Sequence, residues 1–226
     1  MKKLIVIILT AVLILNFAAC ENGSDELQNE YNKDVSEQHE KDETKSEEKN
    51  NDYSSVVVGD IIEFGGYNWR VLDIQDGKVL IISEDILENQ VYNTENVEIT
   101  WEYCGLRSYL NGEFYKNFSS AEQGCIVETT VINSDNTQYG VAGGNNTTDK
   151  IFLLSIDEAK QYLKDNSARI AYDISGDSHW WWLRSPGYSS ICAASVSDDG
   201  YVNVYGVYVY FSRGGGVRPA LWLNLS

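Results

Sequence analysis

The stretch WWWLRSPG at Trp180–Gly187 decides the fold of this chain more than any other segment. Three tryptophans and a leucine predict a strand over Trp180–Arg184, and the Pro-Gly pair that follows predicts a turn. Because successive side chains of a strand point to opposite faces, Trp181 lies on one face and the two neighbouring indoles lie on the other. One face is predicted to be buried, and at least one indole is predicted to reach the surface.

The stretch GVRPALWL at Gly216–Leu223 predicts the last strand of the chain, over Val217–Leu223. Between the two stretches, apolar and polar residues alternate and are interrupted by Gly-rich or Asp-rich turns. This segment predicts three further strands, Ala193–Ser197, Tyr201–Tyr205 and Tyr208–Phe211. The chain after about residue 168 is therefore predicted to be β-rich.

The preceding part of the chain mixes strands with short helices. The predicted strands are Ile61–Phe64, Trp69–Ile74 and Val79–Ser83, with a hairpin turn at Asp76-Gly77, and the buried run Ile151–Leu154. Predicted helix starts are Thr100 and two capping boxes, Ser119 with Glu122 and Ser155 with Glu158. The fold class is therefore predicted to be α+β, with a few short helices and a β-rich C-terminal half.

Residues 1–19 have the pattern of a signal peptide, with two lysines followed by an uncharged apolar run that ends just before Cys20. The segment Phe17–Cys20 is similar to the lipobox of bacterial lipoproteins. That resemblance implies cleavage before Cys20 and a lipid on its sulfur, which anchors the protein at the extracytoplasmic face of the bacterial cell membrane. The alternative is an ordinary secretory signal that happens to end at a cysteine.

Residues 21–55 carry 12 acidic and four basic side chains and very few large apolar ones. Such a segment buries too little surface to offset its chain entropy, so we predict that residues 20–55 are a disordered tether. The globular head is predicted to span residues 56–226, with 22 acidic and 11 basic side chains. No segment after the N-terminus is basic, which excludes a nucleic-acid partner.

Five segments of the head resemble, in the same order, a widespread bacterial family of domains of unknown function that is common on secreted or lipid-anchored proteins. They are FGGYNWRVLD (64–73), TWEYCGLRSYLNGEFY (100–115), GGNNTTDKIFLLS (143–155), WWWLRSPG (180–187) and GVRPALWL (216–223). More distantly, the late segments resemble the C-type-lectin-like fold of formylglycine-generating enzymes and of retroelement-diversified variable proteins. The resemblance implies a single C-type-lectin-like domain and carries no activity with it.

The segment from Tyr188 to Gly216 is rich in Tyr, Ser, Asn, Asp and Gly, which is also the composition of antibody binding sites. Tyrosines alternate with valines there, so one face is core and the other presents aromatic rings among small polar groups. We therefore predict non-catalytic binding of a glycan or protein ligand; a solvated sheet face is the alternative. The predicted ligand-binding residues are Trp180, Trp182, Tyr188, Tyr201, Asn203, Tyr205, Tyr208 and Tyr210.

Catalysis has little support in the sequence. The head contains one histidine, His179, with no motif for a triad or a metal cluster around it. The alternative function is an enzyme, or the remnant of one, that acts on cell-envelope material with His179, Asp177 and Arg184 near its centre; a structural envelope protein is a third. No catalytic residue, cofactor or metal site is predicted, although the oxygen-rich loop 133–149 and the acidic turn 198–200 leave calcium open.

The remaining predictions concern residues that hold the head together. Structural roles are predicted for Trp69, Trp101, Arg184 and Arg218. For the two arginines, burial with a paired acid is favoured over binding of an anion. Cys104 and Cys125 either form a disulfide or pack as free thiols, and the second interpretation is favoured.

Overall fold

The computed structural model describes residues 55–225. The predicted signal peptide, the predicted lipidation site Cys20 and all but the last residue of the predicted tether lie outside the described residues, as does Ser226. Residues 55–225 form a mixed α+β structure with mostly strands and a few short helices, as the sequence predicts.

The first sheet contains six strands that all pair antiparallel. They are β1 (Ile61–Phe64), β2 (Tyr67–Gln75), β3 (Lys78–Ser83), β5 (Ile126–Val127), β8 (Ile151–Phe152) and β13 (Ala220–Asn224). The order is β1-β2-β3-β13-β5, and β8 also pairs with β13. The last strand therefore lies in the middle of the sheet that the first strands begin.

The second sheet contains five strands in the order β11-β10-β9-β12-β4. They are β4 (Glu88–Gln90), β9 (Trp181–Pro186), β10 (Cys192–Val196), β11 (Val202–Tyr208) and β12 (Gly215–Val217). Strand β9 is central and pairs in parallel with β12, whereas the other pairs are antiparallel. Two further strands, β6 (Thr129–Val131) and β7 (Thr147–Asp149), pair with each other.

The four α-helices of the described residues are short: α1 (Gly105–Tyr109), α2 (Ser120–Cys125), α3 (Ile156–Tyr162) and α4 (Asn166–Arg169). Both predicted capping boxes are confirmed. The hydroxyl groups of Ser119 and Ser155 accept from the backbone amides of Glu122 and Glu158, and the two glutamate carboxylates accept from the backbone amides of the serines. Thr100 precedes a single 3-10 turn and makes no side-chain cap. Helix α1 begins later, after Cys104, whose sulfur accepts from the Arg107 amide at 3.4 Å.

The predicted hairpin between β2 and β3 is confirmed. Its two turn residues, Asp76 and Gly77, have φ angles of 48° and 73°, as a two-residue turn between right-twisted strands requires. The predicted single strand Val217–Leu223 is instead two strands, β12 and β13, in two different sheets. The break falls at Pro219, because proline has no amide hydrogen for a sheet and restricts the residue before it.

The structure has one strand around Gly206 where two are predicted: β11 runs through Gly206 with a bulge and ends at Tyr208, so the rest of the predicted strand Tyr208–Phe211 is not a strand. Ala193 pairs with Val207 and Ser195 pairs with Asn203, so four residue steps along β11 match two steps along β10. Gly206 has a φ of 79°, and a Cβ there would collide with the Ala193 carbonyl oxygen. The bulge therefore requires glycine at this position.

Strand β9 is buried on both faces. Trp181 and Trp182 have no exposed surface, while Trp180, just before the strand, is half-buried. Both inner indoles have a hydrogen-bond acceptor: Trp181 donates to the Arg169 carbonyl at 3.0 Å and Trp182 to the Gln90 carbonyl at 2.9 Å. The surface indole that the sequence requires is therefore Trp180 alone.

Arg184 is 3% exposed and forms a bidentate ion pair with Glu158 of α3. Its terminal nitrogens also donate to the carbonyls of Leu153 and Ile132, at 2.7 and 2.9 Å. This single guanidinium therefore connects β9 to α3 and to two loops.

Arg218 is also buried, but its hydrogen bonds go to carbonyl groups. It donates to Ser83 at 2.8 Å and Glu84 at 2.9 Å, and its guanidinium lies 5.2 Å from the Trp181 ring centre. Burial lowers the pKa of Arg218 to about 10. Arg218 therefore lies between β12 of the second sheet and β13 of the first sheet, where the chain passes from one sheet to the other.

The other two predicted structural residues, Trp69 and Trp101, are buried in the core. The Trp69 indole donates to the Phe64 carbonyl at 2.8 Å, and the Trp101 indole donates to Asp149 at 2.9 Å. Each tryptophan therefore contributes a large apolar surface while its one polar atom is satisfied.

Cys104, Cys125 and Cys192 are free thiols, so the disulfide alternative does not apply to this structure. Burial raises the pKa of Cys104 to about 12 and raises that of Cys192 as well.

Because the thiolate is the reactive form, a disulfide-exchange reagent should modify partly exposed Cys125 first in the folded Cys20→Ala full chain. All three thiols should react after denaturation without reductant; two missing thiols would contradict the free-thiol structure.

Candidate ligand-binding surface

Four tyrosines form an exposed group that we call the tyrosine cluster: Tyr139, Tyr188, Tyr205 and Tyr208. The rings of Tyr188 and Tyr205 stack with centres 4.0 Å apart and planes 9° apart. Tyr139 meets Tyr205 edge-on at 5.9 Å. Tyr205 and Tyr208 keep 51% and 50% of their surface exposed, so the cluster is ordered by ring contacts and yet open to solvent.

The bulge in β11 creates the cluster. It turns Tyr205 outward beside Tyr188, whose amide donates to the Tyr205 carbonyl at 2.8 Å. Buried Asn136 fixes the same region, because its side-chain amide donates to the carbonyls of Pro186, Gly187 and Val204 at 2.9–3.1 Å. The loop that carries Tyr139 is thereby fastened to the residues just before Tyr188 and Tyr205.

The hydroxyl groups of Tyr188 and Tyr208 lie 3.3 Å apart. This hydrogen bond is the main cause of a raised pKa for Tyr188. Tyr188 is therefore neutral near pH 7 and presents a hydroxyl that can donate and accept.

The other predicted ligand-binding residues lie elsewhere. Tyr201 and Tyr210 are exposed and have no aromatic ring partner among residues 55–225. Trp182 is fully buried against Tyr92, so its predicted place on the ligand surface is wrong, because both faces of a central strand are covered. The structure thus divides the predicted surface into separate parts.

Trp180 and Asn203 line a different cleft, of about 350 Å³, together with His179, Asp198 and Phe211. His179 donates from Nδ1 to the Trp180 carbonyl at 2.8 Å. Arg184, which the alternative enzyme hypothesis places beside His179, is not among the lining residues and is paired with Glu158 instead. Arg184 is therefore not brought to the cleft that His179 lines.

The loop 133–149 uses several of its oxygen atoms in hydrogen bonds. Asp149 accepts from Arg107 at 2.6 Å and from Thr147 at 2.8 Å, and Asp135 accepts from the Gly143 amide at 2.9 Å. Within the described part of the chain, no group of three or more His, Cys, Asp or Glu side chains is placed to hold one metal ion. The loop serves here as the support for Tyr139.

Sequence reasoning missed Tyr139 and the loop contact of Asn136. One signal was present, since Tyr139 lies among Asn, Ser, Gln and Gly residues like those around Tyr188–Gly216. The contact between Tyr139 and Tyr205 could not be predicted, because the two residues are far apart in the chain. Alternation along one strand gives no information about a loop that packs on it.

A family model described as a domain of unknown function, DUF6273, matches residues 76–225. The chain belongs to the DUF6273 family. No curated protein and no solved structure matches the chain significantly.

The DUF6273 match contains the whole tyrosine cluster and begins at the β2–β3 turn. Strands β1 and β2 precede the matched residues, although they complete the first sheet. None of the helices between residues 55 and 225 is long and apolar enough to span a membrane.

Proposed function

We propose that this DUF6273 protein binds a glycan or protein ligand without catalysis, through the tyrosine cluster. The observation that carries the proposal is the stacked pair of partly exposed Tyr188 and exposed Tyr205, with Tyr139 and Tyr208 beside it. Tyrosine rings offer rigid apolar faces at low entropic cost, with a hydroxyl at the edge for hydrogen bonds. The C–H faces of a sugar ring, or an apolar side chain of a protein, would pack on such rings.

The packing of the cluster supports binding over plain solvation. Ring contacts hold the cluster in one arrangement, and a preordered surface loses less entropy on binding than mobile side chains do. Here a buried asparagine and a bulge hold the rings in place. A group of exposed aromatic rings that is held in a fixed arrangement favours a recognition surface over a solvated sheet face.

Replacement of Tyr205 and Tyr208 by alanine should weaken binding of the full chain to isolated cell-envelope material at least about tenfold. Both side chains are half exposed, so the loss should occur without loss of the fold. The matched control is Tyr103→Ala, because Tyr103 is 68% exposed and lies outside the cluster. Equal binding by the double variant and the control would refute the cluster as the ligand surface.

We also propose that the head is held at the extracytoplasmic face of the bacterial membrane by a lipid on Cys20. The support is the order of charged segment, apolar run and cysteine in residues 1–20. Residues 21–55, 35 in number, would give the head a reach of about 33 Å as a flexible coil. A C-type-lectin-like architecture of the head, proposed from its late motifs, is to be tested by comparing an experimental structure with that fold.

Cells that express the full chain should incorporate a clickable fatty acid into it, and the Cys20→Ala variant should carry no label. The expected loss is complete because a single sulfur atom anchors the lipid. Cys125→Ala is the control that should label normally. Label that persists in Cys20→Ala would contradict lipidation at this residue.

A further inference from the structure

A polar cleft of about 640 Å³ lies next to the tyrosine cluster. Six of its lining residues are Asn133, Asp135, Asn136, Gln138, Asp157 and Lys160. Its volume is in the range of small-ligand sites, about 300–1,000 Å³. Drug-like ligands favour apolar pockets. The lining of this cleft is instead composed mainly of amide, hydroxyl and charged groups. The cleft is therefore suited to a ligand that is rich in hydroxyl or amide groups.

The polar cleft and the tyrosine cluster share a wall. Gln138 lines the cleft and precedes Tyr139, and its side-chain amide lies 3.3 Å from the Tyr139 hydroxyl. Val204 lines the cleft and precedes Tyr205. Asn136 ties these two segments together through its hydrogen bond to the Val204 carbonyl. A ligand stacked on Tyr205 can therefore extend into the cleft.

Asn133 lines the cleft, and its side-chain oxygen is buried without a partner within residues 55–225. Its amide nitrogen donates to the Asn145 carbonyl at 2.8 Å and lies 3.4 Å from the Thr147 hydroxyl. Its Oδ1 is buried and has no hydrogen-bond partner among the described residues. A buried acceptor without a partner lowers the stability of the fold by about 1–3 kcal/mol.

The charges of the cleft favour an uncharged ligand over an anion. Asp135 and Asp157 contribute two negative charges to the lining against one positive charge from Lys160. Residues 56–226 as a whole carry 22 acidic against 11 basic side chains. Acidic sugars would be repelled by both the local and the overall charge.

We propose that the polar cleft binds the hydroxyl and amide groups of an uncharged oligosaccharide whose ring faces stack on the tyrosine cluster. This inference rests on the proposed function and narrows its ligand to a neutral saccharide. Rings and cleft act on the same ligand, so loss of either weakens binding.

The test measures binding of the detergent-purified full chain to a panel of neutral oligosaccharides and to uronic-acid oligosaccharides of the same lengths, by calorimetry. At least one neutral oligosaccharide should bind, and the acidic ones should bind at least about tenfold more weakly or not at all. The double variant Gln138→Ala/Lys160→Ala should lower affinity for the neutral sugar at least about tenfold. Its matched control is Gln161→Ala/Lys164→Ala, which changes two exposed residues outside the lining and should bind normally.

The outcomes separate this inference from the proposed function. A neutral sugar that loses affinity in Tyr205→Ala but not in the cleft variant overturns the cleft and leaves the cluster as the binding surface. Tighter binding of the acidic sugars overturns the selection for neutral ligands. If no sugar in the panel binds, the inference fails, and the proposed function then rests on binding of a protein, measured with the Tyr205→Ala/Tyr208→Ala chain.

Discussion

Replacement of Trp181 or Trp182 by alanine is expected to lower the free energy of unfolding by about 3–5 kcal/mol each. Both side chains are fully buried, and each loses a satisfied indole hydrogen bond as well as its packing. The remaining cavity cannot collapse easily, because β9 is the central strand of its sheet.

Trp180→Ala is the internal control for these two variants. Trp180 is half-buried and contacts Trp182 and Phe211 edge-on, so we expect a loss below about 2 kcal/mol. Urea denaturation followed by circular dichroism would measure all three variants of the full chain. Similar losses for Trp180→Ala and Trp181→Ala would contradict the burial of β9 on both faces.

The Glu158→Gln variant should lower the free energy of unfolding by about 3–5 kcal/mol, because it leaves a buried guanidinium without its carboxylate. Arg184 has 2% of its side chain exposed and Glu158 has 29%. The remaining hydrogen bonds of Arg184 go to carbonyl groups, which carry no full negative charge.

Glu122→Gln separates the ion pair from the helix cap. Glu122 and Glu158 have the same role in a capping box, but no ion pair of Glu122 is present in the described structure. Weakening of the helix cap alone should lower the free energy of unfolding by about 0.3–1.5 kcal/mol. If both variants lose the same stability in urea denaturation, the Arg184–Glu158 pair contributes nothing beyond the cap.

The site could be predicted only in part. Tyr188, Tyr205 and Tyr208 were identified from composition and alternation, and they do lie together. Trp182 was assigned to the surface because alternation separates two faces but cannot say whether both are covered. Tyr139, Asn136 and the polar cleft were missed because they reach the site through contacts between distant segments.

The sequence by itself determined the local structure of the head. The turn at Asp76-Gly77 and the two capping boxes each depend on a few neighbouring residues whose backbone preferences act at short range. Tertiary structure alone decided that WWWLRSPG is a central strand and that Arg218 joins two sheets. It also decided which tyrosines meet at the surface. Burial and side-chain contacts depend on segments far apart in the chain, so no local pattern encodes them.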